Sequence, residues 1–242
     1  MLETGQLMEK FRHLSRDIQI GLQASSKNLE AIKSNYQGNS EVEKLEKSLG
    51  QIKDAWDAYY GWILLSSLDN IDEASANCAP GYVDVRSKII RAINQRQKFI
   101  SQLGVKVDIQ SVPLDILIET YIPYFEQLLD LVLDNAIKYS PVSGEIEFIV
   151  TRDDKGVKIL VQSIGPSVIK HEIDRLGQKG FRSENAKKMA VMGQGYGLYN
   201  VTKLTSLLKS RHSFHPEAKI LTYNNDIPQS IFMVKLSFPE SV

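Results

Sequence analysis

In the stretch Gly193-Gln194-Gly195-Tyr196-Gly197-Leu198, three closely spaced glycines directly precede the apolar pattern of a helix. Glycine lets backbone amides approach a bound group closely, and the free amides at the start of a helix attract phosphate. Taken alone, such a run also fits a flexible surface loop. The stretch therefore indicates a phosphate-binding loop only where other segments support it.

Supporting segments lie on the amino-terminal side of these glycines. They are Leu133-Asp134-Asn135-Ala136-Ile137-Lys138-Tyr139-Ser140-Pro141 and Ser163-Ile164-Gly165-Pro166-Ser167-Val168. In this order and at these separations, they and residues 193–201 resemble the N, G1 and G2 boxes of the histidine-kinase ATPase domain, a fold shared with gyrase, the heat-shock chaperone ATPase and MutL. Between them, Gly180-Phe181-Arg182-Ser183 is similar to the F box at the root of the lid over the nucleotide. The resemblance implies a Bergerat-type α/β sandwich that binds ATP and Mg²⁺.

The side chains in these boxes suit a nucleotide. Asn135 offers a carbonyl oxygen, which is a suitable ligand for a Mg²⁺ ion that bridges phosphates. The resemblance implies that Lys138 faces the phosphates and that Tyr139 lies against the adenine. The other residues that we expect to bind the nucleotide are Ser163, Gly165, Arg182, Gly193, Gly195, Gly197 and Leu198.

The boxes also depart from the family pattern. Ser163 stands where the family has an aspartate that accepts the adenine amino proton, and Leu131 stands where it has the first asparagine of the N box. Ile164 and Ser167 replace the usual asparagine and second glycine of the G1 box. Losing a charge-assisted hydrogen bond costs roughly 1 kcal/mol or more, which is about tenfold in affinity. We therefore expect a degenerate but retained site, with weak or absent binding of ATP and Mg²⁺.

The first part of the chain has the apolar spacing of two long helices. Apolar residues recur every three or four positions over residues 7–36 and again over 42–66, with a polar break at 37–40. Ser40 and Glu43 have the spacing of a capping box at the start of the second helix. A two-helix hairpin with such narrow apolar seams buries little surface alone, so we expect a homodimer with a four-helix bundle.

The pattern changes at residues 76–81, where proline and glycine indicate a linker. We therefore predict two domains, a dimerisation and histidine-phosphotransfer-like hairpin over 1–78 and an ATPase domain over 82–242. The expected class is α+β, with one layer of helices on a largely antiparallel sheet. In the second domain we predict helices over 85–103, over 123–139 and from about 198, and strands over 105–109, 145–151, 157–163, 218–223 and 231–238.

The resemblance extends into the first helix. Residues 14–24 are similar to the H box, in which a phosphoacceptor histidine precedes an acidic residue. Arg16 stands at the histidine position, followed by Asp17 as the acid, whereas the basic residue, the Thr/Asn and the proline of the box are missing. A guanidinium stays protonated and has no lone pair to attack phosphorus. His13 is the alternative acceptor, although it lacks an acidic next neighbour and shifts the register, so we interpret it as a surface histidine.

Three functions remain compatible with the sequence. The first is a pseudo-histidine kinase that dimerises and presents its bundle to a response-regulator receiver domain or to another histidine kinase in a two-component phosphorelay. The second is an active histidine kinase or phosphotransferase that uses His13 or a histidine in a partner. The third is a binding module of the ATPase fold that closes on another ligand.

Composition excludes other classes. With 29 Lys+Arg against 29 Asp+Glu, the chain has no net positive charge to attract nucleic acid or an anionic membrane. Cys78 is the single cysteine, so no intrachain disulfide forms. His171, His212 and His215 show no metal-ligand spacing, and we interpret the last two as a solvated basic rim. No signal peptide or membrane span is evident, so we expect a cytoplasmic protein.

Overall fold

Two long helices form the first part of the chain. α1 is Thr4–Asn35 and α2 is Ser40–Ser66, close to the bounds that the apolar spacing predicts. The structure, a computed structural model, describes residues 4–35, 40–66, 68, 74, 79–189 and 193–240, so most of the predicted polar break and linker residues 76–78 lie outside the described residues. The chain divides into two compact units, residues 1–78 and 79–242.

The two helices are antiparallel neighbours. The Phe11 ring of α1 lies 6.3 Å from the Trp56 ring and 5.9 Å from the Tyr59 ring of α2, measured between centroids. At the other end, the Lys33 ammonium contacts the Glu46 carboxylate at 2.7 Å. These contacts pair the start of α1 with the end of α2, as a helical hairpin requires.

The second unit mixes helices and strands. In chain order its elements are β1 (Gly81–Asp84), α3 (Val85–Gln95), α4 (Gln97–Leu103), β2 (Lys106–Asp108), β3 (Leu117–Thr120), α5 (Ile122–Tyr139), β4 (Glu145–Asp153), β5 (Gly156–Pro166), a 3-10 helix (Lys170–Arg175), α6 (Glu184–Lys188), α7 (Gly197–Leu207), β6 (Arg211–Asn224) and β7 (Ile227–Phe238).

Five of these strands form one sheet in the order β2-β4-β5-β7-β6, and β1 pairs with β3 in a separate two-stranded sheet. The β2–β4 pair is parallel and the other neighbours are antiparallel. Strand residues such as Ile146 and Phe148 alternate inward to a core that also buries Leu129 and Leu133 of α5 and Leu204 of α7. The predicted mixed α/β architecture of the ATPase domain is confirmed.

The turn between β4 and β5 shows why the sequence forms a hairpin here. Asp153 pairs with Gly156, which leaves a two-residue loop. Gly156 has φ +116°, and a methyl group at this position would collide with the backbone oxygen of Phe238. Glycine adopts this conformation without steric cost and has no side chain to collide. The position therefore requires glycine for two independent reasons.

The predicted helix over residues 85–103 is wrong as one element, because the helix breaks at Arg96. The backbone of Arg96 has φ −105° and ψ 5°, and its N–H bonds to the oxygen of Ile93 at 3.0 Å. Its guanidinium reaches two carboxylates of α5, Asp130 at 2.9 Å and Asp134. The break between α3 and α4 therefore lies at Arg96, the residue whose guanidinium binds α5, and α5 is the helix that carries the N box.

Further ion pairs join α3 to α5. Lys88 and Arg91 each contact the Glu126 carboxylate at 2.7 Å. Burial raises the pKa of Asp130 from 3.8 to about 6, although Arg96 and Arg91 oppose that rise. A buried carboxyl with a raised pKa makes the stability of this interface depend on pH.

Two differences in the strands have clear causes. The predicted strand over 218–223 is only the second half of β6, which begins at Arg211 and contains Pro216. Proline is tolerated because β6 lies at the edge of the sheet, where one side of the backbone needs no partner. The short strands β1 and β3 were not predicted, because four residues each give too little alternation to recognise.

Candidate nucleotide-binding site

A pocket of about 230 Å³ opens between α5, the sheet and the glycine-rich segment before α7. Every residue that we predicted to bind a nucleotide lines it. These residues are Asn135, Lys138, Tyr139, Ser163, Gly165, Arg182, Gly193, Gly195, Gly197 and Leu198. The structure thus brings the four boxes to one cavity, although they are distributed over more than sixty residues of sequence. Leu131 does not belong to the described lining.

The floor of the pocket comes from two neighbouring strands. Alternate residues of β5 point to the same face of the sheet, which brings Val161, Ser163 and Gly165 to the pocket. Phe232 and Val234 do the same from β7, where Phe232 pairs with Ser163 and Val234 with Val161. Sequence reasoning missed both β7 residues, although the alternation within the predicted strand 231–238 indicates that they share one face.

Helix α5 provides one wall. It begins with Pro123 near its first position, which suits a helix start because proline lacks the amide that would go unpaired there. Its apolar face is buried in the core, so Asn135, Lys138 and Tyr139 near its end reach the pocket. The pKa of Lys138 is lowered, mainly because the ammonium is partly buried and secondly because Arg182 carries a positive charge nearby.

The glycine-rich segment is pressed against its neighbours. Gly195 has φ +78°, and a methyl group there would lie 2.6 Å from the backbone carbon of Gly180 and 2.7 Å from the oxygen of Phe181. A methyl group at Gly197 would lie 3.2 Å from the Asn135 Oδ1 atom. At Gly193 it would collide with the Lys138 ammonium. The glycines therefore allow the loop to approach both the F box and the functional groups of α5.

Arg182 connects the F box to this loop. Its guanidinium donates hydrogen bonds to the backbone oxygens of Gly193 at 3.1 Å and Ala186 at 2.6 Å. Arg182 and Lys138 both line the pocket, so two cationic groups lie on the same side as the glycines. Together with the start of α7, they make this end of the pocket suitable for a phosphate-rich anion.

Buried polar residues join the segment before the F box to the start of α6 after it, and sequence reasoning missed them. The Glu172 carboxylate is buried and accepts a hydrogen bond from the amide of Glu184 at 2.8 Å, at the start of α6. The Asn185 amide donates to the backbone oxygen of Ser167 at 2.9 Å and to its hydroxyl at 3.1 Å. These partners are distant in sequence, and no motif in the chain indicates them.

The histidine interpretation needs one correction. His212 is half-buried rather than part of a solvated basic rim, because its ring nitrogens contact the hydroxyls of Thr202 at 3.2 Å and Thr205 at 2.7 Å. Burial lowers the pKa of His212. His215 is exposed, as expected. The predicted strand began only at residue 218, so the sequence did not indicate that His212 lies in a strand that packs against α7.

The residues predicted for phosphotransfer lie in the other unit. Asp17 is exposed on α1, and the side chains of His13 and Arg16 lie outside the described residues, although the helix runs through both positions. Within the described residues, no three His, Cys, Asp or Glu side chains group closely enough to hold a metal ion. Over the same part of the chain, no helix combines the length and apolarity needed to cross a bilayer.

The donor set fits a nucleoside triphosphate. Lys138, Arg182 and the glycine amides suit phosphate oxygens, and the Asn135 oxygen would suit a Mg²⁺ ion bound together with them. The described pocket lining contains no aspartate or glutamate, so nothing there repels an anion. The apolar floor leaves room for a flat base.

Comparison with known proteins agrees with this geometry. Residues 121–236 match the family described as histidine kinase-, DNA gyrase B- and HSP90-like ATPase. Sensor protein CiaH of Streptococcus pneumoniae is 25% identical over 112 residues, which are 46% of this chain and 23% of CiaH. Histidine protein kinase SaeS of Staphylococcus aureus is 31% identical over 81 residues, 33% of this chain and 23% of SaeS. The chain thus spans about a quarter of the length of these relatives.

Solved structures show the same fold at low identity. The mycobacterial sensor histidine kinase MprB superimposes with a TM-score of 0.51 at 18% identity, over 66% of this chain and 99% of that one. Acinetobacter baumannii histidine kinase AdeS gives a TM-score of 0.50 at 16% identity, over 93% of this chain and 97% of that one. Residues 121–236, within the second unit, therefore form a domain that matches the histidine kinase-, DNA gyrase B- and HSP90-like ATPase family, and these solved structures share its fold.

Proposed function

We propose that the chain is a two-component signalling protein of the pseudo-histidine-kinase kind, which binds ATP and Mg²⁺ weakly and does not phosphorylate itself on α1. In this proposal residues 1–78 are the dimerisation and phosphotransfer-like domain, and residues 82–242 are the ATPase domain. The observation that carries it is the single pocket that gathers Asn135, Lys138, Arg182 and the glycines around one cavity.

Different residues of the pocket bind different parts of the nucleotide. Lys138 and Arg182 hold phosphate oxygens, and the amides at the start of α7 add their positive dipole end. Asn135 would hold a Mg²⁺ ion, which would neutralise negative charge on the phosphates when bound. Tyr139, Ser163 and Gly165 contact the base end. Because Ser163 provides a neutral hydrogen bond rather than a charged one, the affinity for ATP is low.

Loss of the kinase reaction follows from Arg16. Phosphorylation of a histidine needs an imidazole lone pair that attacks the γ-phosphorus, together with a group that accepts the imidazole proton. Arg16 stands at the acceptor position and has no such lone pair, so Asp17 beside it has no nucleophile to assist. A charged guanidinium at this position instead suits the acidic phosphorylation pocket of a receiver domain.

The hairpin supports a homodimer. Large apolar side chains remain exposed along α2, with Leu45 at 57%, Ile52 at 56% and Tyr59 at 48%, each separated by seven residues. A stripe of this period is typical of helices that pack against helices. A second copy of this chain would cover it in a four-helix bundle, and the bundle surface would then meet a response-regulator receiver domain or another histidine kinase.

The experiment is phosphorylation with γ-labelled ATP and Mg²⁺, with and without receiver domains from two-component pathways. We expect no acid-labile label on the purified chain. The alternative function, an active kinase that uses His13 or a histidine in a partner, is favoured by the retained cationic end of the pocket. Label that is lost in His13→Ala but kept in His171→Ala, an exposed histidine of the 3-10 helix, would establish that alternative and overturn the pseudokinase proposal.

A further inference from the structure

The floor of the pocket has almost no polar side chains that could recognise a ligand. Among the described floor residues of β5 and β7, Ser163 has the one polar side chain, and its neighbours on the same face are Val161, Gly165, Phe232 and Val234. Ser163 is 8% exposed, so bulk water does not take over the hydrogen bonds that its hydroxyl makes with a ligand. A base that lies on this floor meets one hydroxyl and otherwise apolar surface.

The cationic end fixes the direction of a bound nucleotide. Lys138 and Arg182 both line the cavity next to Gly193, because Arg182 donates a hydrogen bond to its backbone oxygen at 3.1 Å and a methyl group at Gly193 would collide with the Lys138 ammonium. Phosphates held there leave the base to the apolar floor, near Ser163 and Phe232. Because every nucleoside triphosphate has the same phosphates, this end cannot distinguish one base from another. Discrimination between bases therefore depends on the floor.

A hydroxyl and a carboxylate recognise bases differently. An ionised carboxylate only accepts hydrogen bonds, whereas a serine hydroxyl rotates and either donates or accepts. Adenine has an amino donor at position 6, and guanine has a carbonyl acceptor there. No aspartate or glutamate occurs in the described pocket lining, so no carboxylate penalises a carbonyl at this position.

We infer that the pocket accepts purine nucleotides with either an amino group or a carbonyl oxygen at position 6, and that Ser163 is the residue responsible for this relaxed specificity. The inference rests on the proposed nucleotide-binding function. Ser163 accepts from the amino group of ATP and donates to the carbonyl of ITP or GTP. The apolar neighbours make no bond that favours one over the other.

The first test uses the unmodified chain. ATP and ITP are a matched pair, because they differ at the position 6 group and the neighbouring ring proton, and both are titrated with Mg²⁺ by calorimetry. We expect dissociation constants that agree within about threefold, since a site with no fixed acceptor rejects neither. An ATP preference of tenfold or more would overturn this inference and leave the proposed function standing. Failure of both to bind at millimolar concentration would overturn the proposed function as well.

The second test changes Ser163. Ser163→Asp introduces a fixed acceptor, and we expect it to weaken ITP relative to ATP by about tenfold or more. Ser163→Ala, which removes the hydroxyl without adding charge, should weaken both by a similar factor and is the matched control if the aspartate variant does not fold. Two results would mean that residue 163 does not contact the group at position 6 of the base. They are an unchanged affinity for both nucleotides in Ser163→Ala and equal binding of both by a folded Ser163→Asp.

Discussion

At the scale of single residues, the glycine-rich segment is defined by contact rather than by flexibility. Gly195 has φ +78° and lies so close to Gly180 and Phe181 that a methyl group has no room. Gly165 differs, because a methyl group there would lie 3.7 Å from the Tyr139 Cβ atom, an ordinary contact distance. Both glycines line the same pocket, but only the position of Gly195 has no room for a side chain.

Gly195→Ala should therefore destabilise the ATPase domain. The added methyl group would force either an unfavourable φ or a displacement of the backbone at Gly180, and we expect a loss of about 1–3 kcal/mol in the free energy of unfolding. Urea denaturation followed by circular dichroism measures it. Gly165→Ala is the matched control and should change the free energy by less than about 1 kcal/mol. Equal effects of the two substitutions would show that the close contact at Gly195 does not matter.

The residues that line the pocket could be predicted because the motifs that carry the resemblance are local in sequence. Asn135 and Lys138 are three positions apart on one helix, and the glycines lie in one short segment, so the sequence contains their geometry. Phe232 and Glu172 could not be found in this way. Phe232 reaches the pocket through strand pairing, and Glu172 accepts a long-range hydrogen bond from the start of α6, so both depend on contacts far apart in sequence.

At the scale of elements, the interface between α3 and α5 combines ion pairs with a buried carboxyl. Arg96 ends α3 and binds Asp130 and Asp134 of α5. Periodicity alone predicted one continuous helix over 85–103, because the residues on both sides of Arg96 keep helical spacing. The tertiary ion pairs favour the break, and the sequence gives no local signal for them.

Asp130 should make this interface less stable as the pH rises. The pKa of Asp130 is raised from 3.8 to about 6, so between those values the folded state retains a proton that the unfolded state has lost. The free energy of unfolding contributed by this carboxyl therefore falls as the pH rises through that range, by at most about 3 kcal/mol. The contribution has almost disappeared by about pH 7, one unit above the pKa in the folded state.

The comparison of Asp130→Asn with the unmodified chain isolates this effect. We expect the stability of the variant relative to the unmodified chain to increase from pH 4 to pH 6.5 and then to level off, as measured by urea denaturation at each pH. Asp154→Asn, which removes an exposed carboxyl in the β4–β5 turn, is the matched control. A difference between Asp130→Asn and the unmodified chain that stays constant with pH would contradict the raised pKa.

At the scale of the whole molecule, the sequence predicted two kinds of structure by two routes. The helical hairpin follows from apolar periodicity over long segments, which is the strongest local signal that a sequence contains. The mixed α/β domain followed from shorter helix and strand patterns together with the resemblance of its boxes, whereas strands as short as β1 and β3 carry too little periodicity of their own. Assembly with other copies depends on surfaces that one chain leaves exposed.

Self-association should depend on the exposed stripe of α2. The double substitution of Leu45→Glu and Ile52→Glu would place charges on the surface that we expect a second copy to cover, so the dimer should dissociate to a monomer. Sedimentation velocity measures the change. Lys47→Glu, at an exposed position of the same helix, adds negative charge away from the stripe and should leave the dimer intact. A dimer that survives the double substitution would place the interface elsewhere.

The most direct test of the retained but degenerate site is calorimetric titration of the purified chain with ATP and Mg²⁺, repeated with Asn135→Ala. We predict saturable but weak binding that the substitution reduces by at least about tenfold, because Asn135 lines the pocket beside the start of α7 and is the residue that we propose as the Mg²⁺ ligand. Asn200→Ala, in α7 but outside the described pocket lining, is the control. No heat of binding at millimolar ATP, or binding that Asn135→Ala leaves unchanged, would contradict the account.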